Sequence, residues 1–320
     1  MSPGKMNEGE IDIDVPLVRR LLASQFPRWS NLQVERVPST GTDNAIFRLG
    51  PDMSVRLPRI HWAVELVDKE YKWLPRLAPR LPLAIPIPLA KGAPAEGYPW
   101  PWAVYRWLEG ENATIVRIAD LPQAAADLAQ FITALQEIDP TGGPEAGPRN
   151  FYRGVPLANL DRRIRALITS LDGILEPREL TDVTAAWEAA VGAPEWTGPS
   201  VWVHGDLHSH NLLAVDGRLS AVIDFGCLGV GDPACDLAPA WSLFSGESRD
   251  AFREAVGADD ATWERGKGWA LRWLGALANY RDTNPVLADI ARRTVDEVLA
   301  DEAGAEPTPT RRGKAKEQGT

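Results

Sequence analysis

The chain has 320 residues, 44% hydrophobic and 24% charged, and a formal net charge of -10. These proportions exclude a disordered or fibrous protein, and the length asks for one large domain or two lobes sharing a cleft. The acidic balance excludes nucleic acid as the main partner, because a phosphate backbone needs a basic footprint.

No apolar run reaches the roughly 18 to 20 residues of a membrane span. The opening "MSPGKMNEGEIDID" lacks the apolar core of a signal peptide, so the expectation is a cytoplasmic protein with no membrane partner. Cys227 and Cys235 stand eight apart without a CxxC pattern, which reads as two buried small hydrophobes. Residues 11 to 110 carry 13 Lys or Arg against 10 Asp or Glu, a balance of +3, and residues 111 to 300 carry 16 against 28, a balance of -12. That asymmetry suits a protein holding an anion on its first half and a cation on its second. Monomer and homodimer are both compatible with this chain.

Residues 1–10 and 301–320 are polar, without periodicity, and read as tails. An amphipathic helix is expected over about Val15 to Ser24. "LQVERVPSTGTDNAIFRLGPDMSVRLP" then gives three short β-rich runs separated by turn signals. "WAVELVDKEYKWLPRLA" follows with helical spacing of Val64, Val67, Tyr71, Trp73 and Leu74, and the proline-rich "PRLPLAIPIPLAKGAPAEGYPWPW" breaks regular structure. "WAVYRWLEG" returns to β character and ends in glycine, after which an alanine-rich helix marks the change from sheet to helix. Beyond Asp161 helices dominate, apart from a strand at "SVWV" and a hairpin of "NLLAV" and "LSAVIDF" across Asp216-Gly217. The fold class is therefore α+β: an N-terminal lobe over 11–105, antiparallel sheet with one main helix, a hinge at 106–110 and a mostly helical lobe over 111–300.

The stretch "VWVHGDLHSHNLL" holds three of the four histidines. His204, Asp206, His208 and His210 alternate and would share one face of a strand, as in a zinc hydrolase, but Gly205 and Asn211 point to a loop. Spacing offers another reading. Asp206 precedes Asn211 by five residues, the interval of the kinase catalytic loop HRDLxxxN, and the hairpin then delivers Asp224-Phe225-Gly226. Phosphoryl transfer needs a carboxylate on the acceptor hydroxyl, here Asp206, and oxygen ligands for Mg²⁺, here Asn211 and Asp224. His204 is expected to organise the loop. A phosphate-anchoring cation belongs on the third strand, paired with an acid of the next helix. "MSVRLPR" supplies Arg56, with Arg59 the next candidate, and "VDKEYKWL" supplies Glu70. Phosphate cover would come from Ser39, Thr40, Gly41 and Thr42, and an adenine could meet the backbone of Arg106 and Leu108.

Together "HGDLHSHN", "VIDFGCLGVGDPACDLA", "VRLPR", "KEYKWL" and "VYRWLEGE" resemble the aminoglycoside and macrolide phosphotransferase family, a branch of the protein-kinase-like fold. The resemblance runs from about Val34 to Asp236. It implies a bilobal fold, ATP or GTP as co-substrate, Mg²⁺, a catalytic Asp206, metal ligands Asn211 and Asp224, and the pair Arg56 and Glu70. Asp232 and Asp236 would fix the loop and the next helix start. Two departures stand out: "HSH" where proline or glycine is common, and arginine where lysine is usual at 56. The acceptor, an antibiotic that can be cationic, would lie against the helical lobe near His208, Asp161, Trp241, Trp273 and Asp282, with Trp269 beside Trp273. A small-metabolite kinase for choline, an amino acid or a sugar is the alternative, and a nucleotide-binding pseudokinase is a further one.

Overall fold

The structure is a computed structural model that describes residues 11–38, 43–113, 118–302 and 304. Both termini assigned to tails, apart from Asp301, Glu302 and Gly304, and the turn Ser39 to Thr42 lie outside the described residues.

Helix α1 (Val15–Gln25) starts where Asp14 caps the Leu17 amide and Pro16 presets the first turn. Strands β1 (Val34–Arg36), β2 (Asn44–Leu49) and β3 (Met53–Pro58) follow, then α2 (Val64–Leu77), β4 (Pro88–Gly92) and β5 (Trp102–Arg106). They form one sheet in the order β1-β2-β3-β5-β4, with every pair antiparallel. Period-two alternation buries Ala45, Phe47, Leu49, Val55 and Leu57 against α1 and turns Arg56 to the opposite face. Strand β4 corrects the reading of the proline-rich stretch as structureless. It is an edge strand with proline as its first residue, where a missing amide breaks no ladder bond.

The rest begins with β6 (Glu111–Asn112) and α3 (Leu121–Gln136), followed by α4 (Asp161–Ser170) and α5 (Pro177–Gly192). Strand β7 (Val201–Val203) leads to the hairpin β8 (Leu212–Val215) and β9 (Arg218–Val222), and β10 (Gly229–Gly231) returns to pair with β7. The hairpin turns on Asp216 and Gly217, both at positive φ, the combination that matches strand twist in a two-residue loop. Helices α6 (Pro239–Ser242), α7 (Gly246–Val256), α8 (Asp260–Ala270), α9 (Leu274–Asn279) and α10 (Pro285–Glu302) complete the chain. The α10 end corrects the tail boundary: Asp301 and Glu302 are helical and ion-paired to Lys267.

One core joins the two halves. Val67, Trp73, Leu74 and Leu77 of α2 share it with α3 and β7, and Trp73 meets Trp202 edge-on at 4.8 Å. Main-chain bonds from Ala84 N to Ser220 O and from Val222 N to Ala84 O tie the sheet half to β9. The expected hinge at 106–110 is thus one of several connections.

Candidate active site

The loop after β7 is organised from beneath by Asp236. Its buried carboxylate accepts the backbone amides of His204 and Gly205, each at 2.7 Å. Burial pushes its pKa up to about 7. Gly205 has φ +81°, and a Cβ there would come within 2.8 Å of Cys227 O and Arg153 Cβ, so only glycine fits. His204 is fully buried. Its Nε2 bonds Ile223 O at 3.0 Å, its Nδ1 accepts the Asp206 amide at 3.2 Å, and its ring meets Phe225. Both ring nitrogens are spent on backbone, which removes His204 as a metal ligand, and burial pushes its pKa down to about 4.

Asp206 Oδ1 accepts from Arg153 Nη2 at 2.8 Å, and Oδ2 lies 3.6 Å from His208 Nε2. Burial works against its charge, yet Arg153 and the neighbouring imidazoles hold the carboxyl well below the usual range. Asn211 Nδ2 donates to Asp206 O at 2.9 Å and Oδ2 at 3.3 Å. The amide nitrogen is committed, so its carbonyl oxygen is the atom a cation can use. Asn211 O accepts from Ile223 N at 2.9 Å, which brings Asn211 beside Asp224. Asp224 has φ 62°, a left-handed conformation unusual outside glycine. Its side chain is half exposed and accepts from Gly226 N at 3.3 Å.

From the sheet half, Arg56 Nη1 donates to both Glu70 oxygens at 3.0 Å, and Nη2 lies 3.5 Å from Asp224 Oδ1. Asn44, with its amide oxygen toward Arg56, accepts from Nη2 at 3.0 Å and Nε at 3.2 Å. Glu70 is buried and also accepts from Tyr105 Oη at 2.7 Å. The guanidinium therefore bridges the helix acid and the Asp-Phe-Gly aspartate. Asn211 and Asp224 carry hard oxygen donors of the kind Mg²⁺ prefers, on segments joined by the Ile223 N to Asn211 O bond, so the chemistry of the residues present fits that ion.

Other predicted residues fall elsewhere. Asp232 is buried and takes Arg265 through Nε at 2.8 Å and Nη2 at 3.2 Å, a structural pair. Trp241 is fully buried against Trp263, with its indole on Asp301, so it cannot face an acceptor. Asp161 already accepts from Trp187 Nε1 and pairs with Arg165, which ties it to the helix core. Trp269 is buried, and the exposed Asp282 has Arg281 beside it at 3.8 Å. The Arg106 amide is spent on Ile87 O, so only its carbonyl and Leu108 remain for a base. Arg59 is buried just past β3. Of the acceptor candidates, His208 and Trp273 stand together beside Asp206, their rings 5.0 Å apart and nearly perpendicular.

Two residues were not anticipated. Arg153 reaches Asp206 from 53 positions upstream in sequence, and no local pattern marks it. Lys69 Nζ donates to Gly226 O at 2.5 Å and Leu228 O at 3.3 Å, clamping the Asp-Phe-Gly turn; its place one residue before Glu70 was the available signal. A cavity of about 630 Å³ lined by Gly154, Ser200, Asp232 and Arg265 lies toward the start of β7, away from this chemistry.

An antiparallel sheet over a helical half, with Asp206, Asn211 and Asp224 on one loop and hairpin and the pair of Arg56 and Glu70 facing them, defines a kinase-like phosphotransferase. The chain belongs to the phosphotransferase enzyme family (APH), whose model matches residues 34–269. It is similar to the GDP complex of aminoglycoside 2'-phosphotransferase-IIIa, with TM-score 0.68 and 19% identity over 91% of this chain and 100% of that one. It is similar to ADP-bound aminoglycoside phosphotransferase APH(2'')-Ib, with TM-score 0.56 and 17% identity over 90% and 99%. A third likeness is to macrolide 2'-phosphotransferase MphH from Brachybacterium faecium, with TM-score 0.56 and 22% identity over 88% and 98%. The chain also matches a curated relative, lysine-specific demethylase JMJ21 of Arabidopsis thaliana, 31% identical over 97 residues; this covers 26% of the chain and spans 10% of that relative's length.

Proposed function

We propose that this protein transfers the γ-phosphate of ATP or GTP to a hydroxyl of a small molecule, with an antibiotic of the aminoglycoside or macrolide class as acceptor. The observation that carries the reading is the continuous contact from Asp206 through Asn211 to the Asp224 turn, faced by Arg56 on Glu70. The names of the similar structures support the acceptor class, and the excess of acid over base in residues 111 to 300 suits a cationic acceptor.

In this mechanism Asp206 accepts the hydrogen bond of the acceptor hydroxyl and aims its oxygen at phosphorus. The new O–P bond forms as the bond to the β-phosphate bridging oxygen breaks, and the hydroxyl proton leaves toward Asp206. A carboxylate held this far below its usual range is a weak base, so orientation is its main contribution. Asn211 and Asp224 would hold Mg²⁺, which when bound supplies neutralising charge to the β- and γ-phosphates. Arg56 adds a guanidinium able to meet phosphate while keeping Glu70 neutralised.

The test is thermal unfolding with ATP or GTP plus Mg²⁺, followed by nucleotide consumption over aminoglycosides, macrolides, choline and sugars. Binding to the native state raises the midpoint by mass action. Asp206→Ala should lower transfer by roughly 100-fold or more. No midpoint shift with either nucleotide, or near-normal transfer by Asp206→Ala, would sink the reading.

A further inference from the structure

We infer that Arg153 and His208 are positioning residues for the Asp206 carboxylate, Arg153 bonded to Oδ1 and His208 facing Oδ2 at 3.6 Å beside the Asn211 Nδ2 that bonds it. The inference rests on the reading of Asp206 as the acceptor-side carboxylate. Arg153 Nη2 is 2.8 Å from Oδ1 and His208 Nε2 is 3.6 Å from Oδ2. Neither residue is required by the spacing of Asp206, Asn211 and Asp224, and they arrive from different segments of the chain.

Each arm is itself held in place. Phe151 and Tyr152, just before Arg153, have φ 55° and 61°. Two consecutive aromatic residues in the left-handed region are strained and persist only where the surroundings over-determine the turn. Those surroundings are visible. Buried Asn150 accepts from Gly147 N and donates to Arg153 O, both at 2.8 Å, and Gly154 O accepts from Asp232 N at 2.8 Å. The loop is thus pinned on both sides of Arg153, and its guanidinium is delivered to Oδ1 with little freedom left to lose.

On the other side, His208 Nδ1 accepts the His210 amide at 3.3 Å. That bond assigns the remaining ring proton to Nε2, the nitrogen facing Asp206. The imidazole is largely buried and meets Trp273 edge-on at 5.0 Å and 85°. Trp273 comes from the segment joining α8 to α9, so the orientation of the carboxylate is tied to the C-terminal helices. Within "HSH", His208 thereby gains a role as the second arm, its tautomer set by the backbone amide of residue 210 rather than by the His210 ring. Since misplacement of a reacting group by about 1 Å can cost 100-fold in rate, fixing both oxygens is a means of keeping the acceptor hydroxyl in line.

The experiment uses the full chain and slow hydrolysis of Mg²⁺-ATP or Mg²⁺-GTP, with water as acceptor. Arg153→Ala should lower kcat by about 10- to 100-fold while the nucleotide KM stays within about twofold, and added methylguanidine should restore part of the rate. His208→Ala should lower kcat by a smaller factor, and His208→Gln, which keeps an N–H donor, should recover most of it. Nucleotide-dependent thermal shifts should survive in all of these variants. Unchanged kcat in both alanine variants, or a loss matched by lost nucleotide binding and not rescued, overturns the inference.

If the wild-type chain neither binds nor hydrolyses nucleotide, the proposed function fails, and a double-mutant cycle then decides the pairing. Arg153→Met, Asp206→Asn and the double variant are compared by chemical unfolding. Non-additive effects support the contact, and additive effects overturn it.

Discussion

Arg56 is the residue on which both halves of the site depend. It neutralises a Glu70 that is 1% exposed and touches Asn44 and Asp224. Arg56→Ala removes the counter-charge of a buried carboxylate, so chemical unfolding should show a loss of about 3–5 kcal/mol. Arg56→Lys restores a charge but not the planar fork; stability should recover more than the nucleotide KM does. His204 permits a signed pH prediction. Its folded pKa of about 4 lies below the unfolded value near 6.5, so the unfolded chain binds the extra proton in between and stability is lost as pH falls from about 6.5 to 4. Asp236, raised to about 7, acts oppositely, binding its proton in the folded state and losing stability as pH rises from about 4 to 7. Between pH 7 and 5 the two groups oppose each other in the wild type, so the comparison that isolates His204 is the melting temperature at pH 5 relative to pH 7, which should be higher in His204→Gln than in the wild type because the loss from His204 is gone.

At the scale of elements, the Asp-Phe-Gly turn is held by a neighbouring helix rather than by its own strand. Lys69 of α2 caps Gly226 O and Leu228 O, and burial lowers its pKa. Lys69→Met withdraws a charged donor from two carbonyls and should destabilise by about 1.5–3 kcal/mol in chemical unfolding, with a smaller thermal shift on adding Mg²⁺-nucleotide because Asp224 loses its fixed geometry. The order of strands around this turn was largely legible beforehand, since alternation in β2 and β3 and an Asp-Gly pair between β8 and β9 are local signals. Strand β4 was not, because its prolines read as breakers until pairing with β5 made it an edge. Lys69 was marked only by its place one residue before Glu70, since its carbonyl partners lie 157 and 159 residues away.

Across the whole molecule, buried ion pairs lock the helical half together. Arg265 of α8 grips Asp232 with both side chains only 4% exposed, and Arg249 and Lys267 tie α7 and α8 to the end of α10 through Glu297, Asp301 and Glu302. Arg265→Met strands a buried carboxylate next to the loop that carries Gly154. Chemical unfolding should register a loss of about 3–5 kcal/mol, with partial recovery when Asp232→Asn is added.

The three residues assigned to the chemistry, Asp206, Asn211 and Asp224, were legible because they lie within one loop and hairpin, where covalent spacing alone brings them close. Arg56 and Glu70 were legible for a related reason: strand alternation and helix phase set which face each one takes. What only packing decided is everything that crosses between distant segments: Arg153 on Asp206, Trp273 against His208, Lys69 under the turn, the burial of Trp241 and the occupation of Asp161 by Trp187 and Arg165. A tryptophan at helical spacing and an aspartate at a helix start look alike in a chain whether they end in a core or a cleft. The difference is made by which neighbours exclude water from them, and those neighbours are chosen by the tertiary fold.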